Sequence, residues 1–406
     1  MAVRVNKPAF NIREKLKELT NNIGLKGREL MRAVTVQEAR DLVSAGRKNM
    51  IINGAMSINQ RNGTSSYVIP NATGGSYGGP DRWAVNEATG ATISVNMDGD
   101  PTSNNALNSD VREFSKAFQF AVTSDNSSLS STENLHFFQN IEGYNTAHLG
   151  WGTEKAKPVT LSFWVKSNVP GTYCVGLENS ATDRACIREY TVNSGYKWQK
   201  VSLTFPGCTD GTWERTNSTG IRVRFVLASG TQYDDGIDGQ WVSSDELTTG
   251  NQVNFVSSTS NRYFITGVQL EVGKNATEFE HRSYGEELAL CQRYYQKIGK
   301  EGHAGLGKND YIASGFVDAS GSAFYGGANL KVTMRTSPTI SINGTASHLG
   351  YTHPGVAFVA TGINNYWSNP QSYVINLGGT GSGTTGFGAY ARITDNATQL
   401  EFNAEL

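Results

Sequence analysis

The sequence has little charge, few cysteines and no long apolar run. Only 17% of its 406 residues are charged, and 35 basic against 36 acidic residues leave a formal net charge of -1. Because the basic residues are dispersed and balanced, we predict no binding to nucleic acid. No apolar run approaches the ~20 residues that span a bilayer. The start of the chain, MAVRVNKPAFNIREK, lacks the apolar core of a signal peptide, so we expect neither membrane insertion nor ordinary secretion.

The few cysteines and histidines give no sign of metal chemistry. Cys174, Cys186, Cys208 and Cys291 follow no zinc-binding spacing, and we predict buried free thiols in a protein assembled in a reducing cytoplasm. A disulfide between Cys174 and Cys186 across a hairpin stays open as the alternative. The six histidines are scattered, and none pairs with another at helical metal-ligand spacing.

Glycine and aromatic residues, by contrast, are abundant, with 45 Gly, 17 Tyr, 17 Phe and 7 Trp. Apolar and polar residues alternate in short segments, as at Leu161, Phe163 and Val165, which predicts strands with one buried face. We predict a mainly β chain, with an antiparallel, jelly-roll-like β-sandwich over 49–297 and a small C-terminal β-domain over 298–406. The predicted strands are 91–97, 113–122, 159–166, 171–178, 187–191, 197–205 and 220–227, then 311–317, 322–325, 330–334, 339–343, 356–360, 372–377 and 399–403.

Three polar or glycine-rich segments are predicted to be loops. Segments 71–80 (NATGGSYGGP) and 98–110 (DGDPTSNNALNSD) contain almost nothing that could form a core, so we place them on the surface, where a receptor could be recognised. The run 378–388 (GGTGSGTTGFG) predicts a flexible loop rather than a phosphate cradle, because it lacks the Lys-Ser/Thr ending of a P-loop.

Residues 1–48 differ from the rest, being rich in Lys, Arg, Glu and Leu. Two short helices are predicted, one capped by Asn11 and one opened by a capping box of Thr35 and Glu38. Helices this short need a docking partner. They either pack on the body of the chain or, as we prefer, bundle between identical chains or dock on a larger assembly. Their apolar residues are Ile12, Leu16, Leu19 and Ile23 in the first helix and Val36, Ala39 and Val43 in the second.

Segment 261–297 changes its hydrophobic period part-way. Tyr263 and Ile265 lie in a stretch typical of a strand, whereas Leu288, Cys291 and Tyr295 are spaced as on a helix. We predict that a strand closes the sandwich there and that a short helix leaves it, with a domain boundary near Ile298.

The same segment carries a resemblance to a known family. Residues 267–297 (GVQLEVGKNATEFEHRSYGEELALCQRYYQK) resemble the closing strand and exit helix of a β-sandwich module found in bacteriophage tail-fibre proteins. Segments 48–56 (KNMIINGAM) and 334–339 (MRTSPT) resemble two further segments of that family, in the same order. The resemblance implies a virion protein, assembled in the host cytoplasm, that forms a homotrimer and attaches to other tail proteins through its N-terminus. It does not specify a ligand.

Sugar binding needs an aromatic surface for the apolar side of a pyranose ring and polar groups for its hydroxyls. Four aromatic residues lie in polar, glycine-containing surroundings and are predicted to bind glycan, namely Trp83, Trp213, Tyr233 and Trp241. Burial under a loop stays open for each. Trp151, Trp164 and Trp198 are assigned to the core.

Acidic residues suggest two further functions. Asp98 and Asp100, or else Asp234, Asp235 and Asp238, offer oxygen ligands for a structural calcium, with solvated turn aspartates as the alternative. No catalytic constellation is visible, although glycoside hydrolysis would need only two facing carboxylates.

We therefore predict a non-enzymatic, cofactor-free fibre subunit that binds a bacterial surface glycan or protein receptor through repeated weak contacts. The alternatives are a structural adaptor or decoration subunit of the virion, and a capsule polysaccharide depolymerase.

Overall fold

A computed structural model describes residues 48–98, 111–299, 310–353, 356–380, 384–394 and 398–406. The two predicted N-terminal helices, Asp100 and nearly all of the loop 98–110 lie outside these residues. The described chain is built from antiparallel sheets with few helices, which confirms the mainly β prediction.

The larger part of the chain is a sandwich of two sheets. The six-stranded sheet has the order β1-β4-β5-β13-β7-β10 and the seven-stranded sheet the order β12-β9-β8-β11-β6-β3-β2. The strands are β1 (Tyr67–Ile69), β2 (Ala72–Ser76), β3 (Ala84–Glu87), β4 (Thr92–Asp98), β5 (Ala117–Ser124), β6 (Asn134–Glu142), β7 (Val159–Ser167), β8 (Gly171–Glu178), β9 (Ala185–Val192), β10 (Gln199–Phe205), β11 (Thr219–Ser229), β12 (Trp241–Val242) and β13 (Arg262–Val272).

Alternating apolar residues from both sheets form the core between them. Phe120 on β5 meets Phe137 on β6 across the sandwich, with ring centroids 4.8 Å apart. Phe137 in turn stacks on Phe225 of β11 at 4.9 Å. Each fully buried ring of this size contributes about 1.5–3 kcal/mol through removal from water, so this aromatic column is a principal reason why the sheets stay together.

Segment 261–297 closes the sandwich much as predicted. Strand β13 is followed by helix α2 (Tyr284–Gln292), which begins in a complete capping box formed by Ser283 and Glu286. A one-turn helix, α1 (Gly143–Thr146), lies earlier in the chain. The predicted helical role of Tyr295 is wrong, because β14 (Tyr295–Ile298) pairs with a strand near the end of the chain.

The C-terminal region forms a closed barrel and a three-stranded sheet. The barrel runs β15-β16-β20-β19-β18-β21, and the small sheet has the order β14-β22-β17. The predicted strand 330–334 is not formed. The strands are β15 (Asp310–Val317), β16 (Ala323–Asn329), β17 (Thr339–Asn343), β18 (Leu349–His353), β19 (Val356–Ser368), β20 (Ser372–Thr380), β21 (Gly388–Ile393) and β22 (Gln399–Asn403).

Small residues in the barrel make room for a large buried ring. Ala313 on β15 and Ala391 on β21 are completely buried and lie opposite each other. Tyr351 on β18, the next strand, pairs with Ala391 and is also completely buried. A Cβ on Gly379 of β20 would lie 2.7 Å from the Tyr351 hydroxyl, so the tyrosine ring packs directly against the backbone of that strand.

The residues that follow β22 return to the sandwich. The Ala404 amide donates to the Tyr294 carbonyl at 2.8 Å, and the Asn140 side chain donates to the Leu406 carbonyl at 3.0 Å. Glu405 forms an ion pair with Arg82, whose guanidinium lies 3.4 Å from the centre of the Tyr294 ring. The sandwich and the barrel region are therefore joined by more than their covalent connection.

The segment 71–80 differs from its predicted role as a surface loop. Its first half is β2, and Gly78, Gly79 and Pro80 are buried. A Cβ on Gly79 would lie 2.2 Å from Cε2 of Phe118, so this glycine is needed for close packing rather than for a turn.

The run 378–388, predicted to be a flexible loop, begins in a strand, because Gly378 and Gly379 belong to β20. None of the described helices is long and apolar enough to cross a membrane.

Candidate functional site

Three tryptophans that are far apart in sequence meet at one end of the sandwich. Trp151 contacts Trp213 with ring centroids 4.7 Å apart and Trp241 at 5.3 Å, and the latter two rings are 5.5 Å apart. All three contacts are edge-to-face, which is a favoured arrangement for aromatic rings. Trp151 is buried, whereas the other two rings are half-buried. We call this cluster the tryptophan site.

A different local structure positions each ring. Trp151 is held between Gly150 and Gly152, whose φ angles of 67° and 81° are left-handed and favour glycine. Trp241 is brought in by the pairing of β12 with β9, where it lies opposite Cys186. Trp213 lies in the connection between β10 and β11. The cluster is therefore produced by the sandwich topology and not by any local sequence motif.

All three indole N–H groups are occupied by backbone carbonyls. Trp151 donates to Lys157 at 2.7 Å, Trp213 to Asp210 at 3.0 Å and Trp241 to Pro206 at 2.9 Å. These hydrogen bonds fix the orientation of the rings. A ligand would accordingly meet indole carbon surfaces rather than indole donors.

A small pocket opens beside Trp151 and Trp213. Its lining combines apolar and polar side chains, namely Thr146, Ala147, Leu149, Trp151, Trp213, Glu214, Arg215 and Ile221. Tyr144, on the same helical turn as Thr146, is 64% exposed. This mixed lining is typical of small-molecule sites, but the volume of the pocket, about 210 Å³, is below the usual minimum of ~300 Å³.

Glycine packing sets the shape of this pocket. A Cβ on Gly143 would lie 2.5 Å from the Glu214 carbonyl oxygen, and one on Gly220 would lie 2.3 Å from the Thr146 hydroxyl. Helix α1 can therefore lie directly against the loop of Trp213 and against β11. Any larger residue at either position would move the pocket wall.

The Trp213 loop is also fastened by a surface ion pair. Arg184 binds Asp210 through two hydrogen bonds of 2.9 and 3.0 Å. The Arg184 hydrogen bond, aided by one from Cys208, lowers the pKa of Asp210. Burial raises the pKa of the Cys208 thiol to about 11. The thiol therefore stays protonated at neutral pH, as a donor to the Asp210 oxygens.

The predicted glycan-binding residues divide into three groups. Trp213 and Trp241 come together, joined by Trp151, which was assigned to the core and is indeed buried. Trp83 does not fit its predicted role in glycan binding. Its exposure is 0% and its N–H donates to the Asn53 carbonyl, so it offers no surface to a sugar. Tyr233 has no ring contact with the other described aromatic side chains and stays apart in the turn Thr231–Tyr233. Tyr144 and Arg215 carried no signal in the sequence.

Of the aspartates considered for calcium, Asp238 has its carboxylate engaged by other groups. Asp238 accepts hydrogen bonds from Arg188 at 2.9 Å and from the Glu189 amide at 3.0 Å. Asp235 lies in an isolated bridge with Thr249. Within the described ranges, no three His, Cys, Asp or Glu side chains come together as a metal site would require.

The four cysteines are free and buried, which confirms the prediction of free thiols. The alternative of a Cys174–Cys186 disulfide is wrong. In the β8–β9 pairing Cys174 lies opposite Glu189 and Cys186 opposite Leu177. The two thiols consequently lie on different faces of the sheet.

A charged cluster on the outer face of the seven-stranded sheet was not predicted. Glu178 on β8 accepts hydrogen bonds from Arg222 and Arg224 on β11. His136 on β6 lies opposite Val226 of β11, on the same face of the sheet, and bonds Asn134 at 3.0 Å. Burial, together with the charges of Arg224 and Arg222, holds the pKa of His136 well below its usual value. The histidine is therefore neutral at physiological pH.

Comparison with known proteins gives structural likeness only. No known family model matches the chain, and no curated protein matches it. A bacteriophage CBA120 tailspike domain matches 55% of this chain and 21% of its own, at 13% identity and a TM-score of 0.29. The carbohydrate-binding module TmCBM61 in complex with β-1,4-galactotriose matches 56% of this chain and all of its own, at 12% identity and a TM-score of 0.27.

A further match is the family 11 carbohydrate-binding module from Clostridium thermocellum in complex with a mixed-linked tetrasaccharide. It covers 51% of this chain and 94% of its own, at 11% identity and a TM-score of 0.25. None of these likenesses is close enough to assign a function or a binding residue.

Proposed function

We propose that this chain is a fibre-type subunit of a bacteriophage virion that binds a bacterial surface glycan without chemical conversion, and that the tryptophan site is where the glycan binds. The observation that carries the proposal is the mutual contact of Trp151, Trp213 and Trp241 with every indole N–H already bonded. Rings fixed in this way present apolar surface without losing side-chain entropy when a ligand binds.

The polar side chains around the rings suit a sugar. The apolar C–H face of a pyranose would pack on Trp213, while Glu214, Arg215 and Thr146 line the same pocket and could bond its hydroxyls. One shallow site of this size would bind weakly. Homotrimer formation and attachment to other tail proteins through 1–48 are therefore part of the proposal, because several copies on one particle convert weak contacts into firm adhesion.

The test measures binding of the full-length chain to surface polysaccharides purified from a panel of bacterial strains, by isothermal titration calorimetry. Trp213→Ala and Trp241→Ala should each weaken binding at least tenfold. Trp164→Ala is the matched control, since Trp164 is a half-buried tryptophan on β7 that makes no contact with the three rings. This variant should keep the affinity within about twofold of that of the parent chain.

Other results would redirect the assignment. Unchanged binding by both variants would remove the tryptophan site from the proposal. Release of new reducing ends from the polysaccharide would identify a depolymerase. If no surface polysaccharide or intact cell in the panel is bound, the adaptor or decoration subunit becomes the better assignment.

A further inference from the structure

The outer surface of the barrel has an unusual concentration of exposed apolar side chains. Phe316, Val374 and Tyr390 are 52%, 41% and 42% exposed. Trp367, beside Val374 in the β19–β20 pairing, is 53% exposed. Apolar side chains that point outward from a closed barrel contribute nothing to its core, so they call for another explanation.

Cross-strand registers place these side chains around two small residues, from which we infer a depression between them. Ser314 on β15 lies opposite Gly327 on β16, and this pair is flanked by Val374 on β20 and Tyr390 on β21. Two residues further along the same strands, Phe316 lies opposite Tyr325, and their rings stack with centroids 6.0 Å apart. Ser314 and Gly327 form the floor and the other four residues form the rim. We call this arrangement the barrel depression.

The floor cannot be filled by a larger residue at Gly327. A Cβ there would lie 2.5 Å from the Tyr373 carbonyl oxygen, so the close approach of β16 to β20 requires glycine. The Ser314 hydroxyl is bonded to the Tyr311 hydroxyl at 2.8 Å. The depression therefore has a low floor with a pair of hydroxyls at one side and aromatic rings around it.

The size of the depression distinguishes a small ligand from a protein partner. From Val374 to Tyr390 is three strand spacings, or about 14 Å. This width fits a single sugar ring, whereas a stable protein interface buries about 800 Å² on each partner. A second copy of the chain would have to cover far more than this depression.

We propose that the barrel depression binds a neutral hexose unit of a polysaccharide, at a site separate from the tryptophan site. Neutrality follows because none of the six residues of floor and rim carries a charge. Phe316, Tyr325 and Tyr390 would pack on the C–H surfaces of the ring, and the Ser314 and Tyr311 hydroxyls would exchange hydrogen bonds with ring hydroxyls. The barrel depression lies in another part of the fold, so this proposal stands even if the tryptophan site binds nothing.

In the experiment, the full-length chain is titrated with the methyl β-pyranosides of glucose, galactose and N-acetylglucosamine. Binding is monitored by saturation-transfer difference NMR. Phe316→Ala and Tyr390→Ala should each raise the Kd of the bound sugar at least tenfold. Tyr311→Phe keeps the ring and removes only the hydroxyl, and it should raise the Kd by a smaller factor. Thermal unfolding of each variant should match the parent chain, because these side chains are exposed.

Trp213→Ala is the control that separates the two sites, and it should leave this binding unchanged. The proposal is overturned if none of the three sugars binds, or if binding survives both Phe316→Ala and Tyr390→Ala. Binding that is lost only in Trp213→Ala would assign the sugar to the tryptophan site instead. A change in molar mass by light scattering in Phe316→Ala would identify the rim as a contact between chains and would also overturn the proposal.

Discussion

Arg293, just after α2, forms a bidentate ion pair with Glu142 at the end of β6. Its Nε donates to Oε1 at 2.7 Å and its Nη2 donates to Oε2 at 2.9 Å. Tyr294 adds its hydroxyl to the same carboxylate at 2.5 Å. Glu142 is almost completely buried, while Arg293 is about one-third exposed. The exit from the sandwich is thereby fixed to the strand that leads into the tryptophan site.

Glu142→Gln should destabilise the chain by about 2 kcal/mol, less than the roughly 3–5 kcal/mol for a fully buried pair, because Arg293 keeps some contact with water. Burial alone would raise the pKa of Glu142, but the Arg293 and Tyr294 hydrogen bonds and the nearby arginine charges lower it overall. The stabilisation is therefore present above about pH 4.5 and is lost as the pH falls through the folded pKa.

Urea unfolding at pH 7 and pH 4 measures this effect. The difference between parent and variant should shrink at the lower pH. Asp238→Asn, which breaks the exposed pair with Arg188, is the control and should change stability by less than about 1 kcal/mol. Equal losses of stability in the two variants would show that the Glu142–Arg293 pair contributes no more than an exposed ion pair.

Arg335 joins the barrel region to the sandwich through three backbone carbonyls. Its guanidinium donates to Ala404 at 2.8 Å, Glu405 at 3.0 Å and Asn217 at 3.0 Å. Arg335→Met should remove these bonds while keeping most of the side-chain volume. We expect one calorimetric unfolding transition in the parent and two separate transitions in the variant. A single transition in both would mean that the remaining contacts, among them the ion pair of Glu405 with Arg82, couple the two parts without Arg335.

Much of this fold could be predicted from the alternation of apolar and polar residues. The strands that were not predicted were missed for identifiable physical reasons. The predicted strand 171–178 coincides with β8, where one face is core and the other polar. Strand β6 was missed because it is buried along its whole length, polar residues included. Gln139 on that strand bonds both the amide and the carbonyl of Ile52, and such a distant partner leaves no mark on local periodicity.

The candidate site was only partly predictable for the same reason. Trp213 and Trp241 were singled out by their polar, glycine-containing surroundings, but their contact with Trp151 depends on the pairing of β12 with β9. Similar surroundings misled the prediction for Trp83. Gly78 and Gly79, just before it, are buried packing positions rather than surface turns. Glycine content alone does not distinguish these two situations.

A pair of glycine substitutions should have opposite effects. Gly220→Ala places a methyl group 2.3 Å from the Thr146 hydroxyl and should cost about 1–3 kcal/mol through overpacking. Gly285→Ala meets no atom within 4 Å and lies in the first turn of α2, so it should stabilise by about 0.4–1 kcal/mol. Chemical unfolding measures both. Gly220→Ala should also weaken the binding of any ligand at the tryptophan site. An unchanged free energy of unfolding in this variant would contradict the packing described there.

His136 should make the chain less stable at mildly acidic pH. Burial and the neighbouring Arg224 and Arg222 charges lower its pKa well below 6.5, whereas in the unfolded chain it titrates near 6.5. The unfolded state therefore binds the extra proton first, and stability falls as the pH drops below 6.5, by up to about 1.4 kcal/mol per pH unit. His136→Gln should flatten the dependence of the urea midpoint between pH 7 and pH 5, even if it lowers stability at both. Equal slopes in the parent chain and the variant would mean that His136 does not stay neutral when the chain is folded.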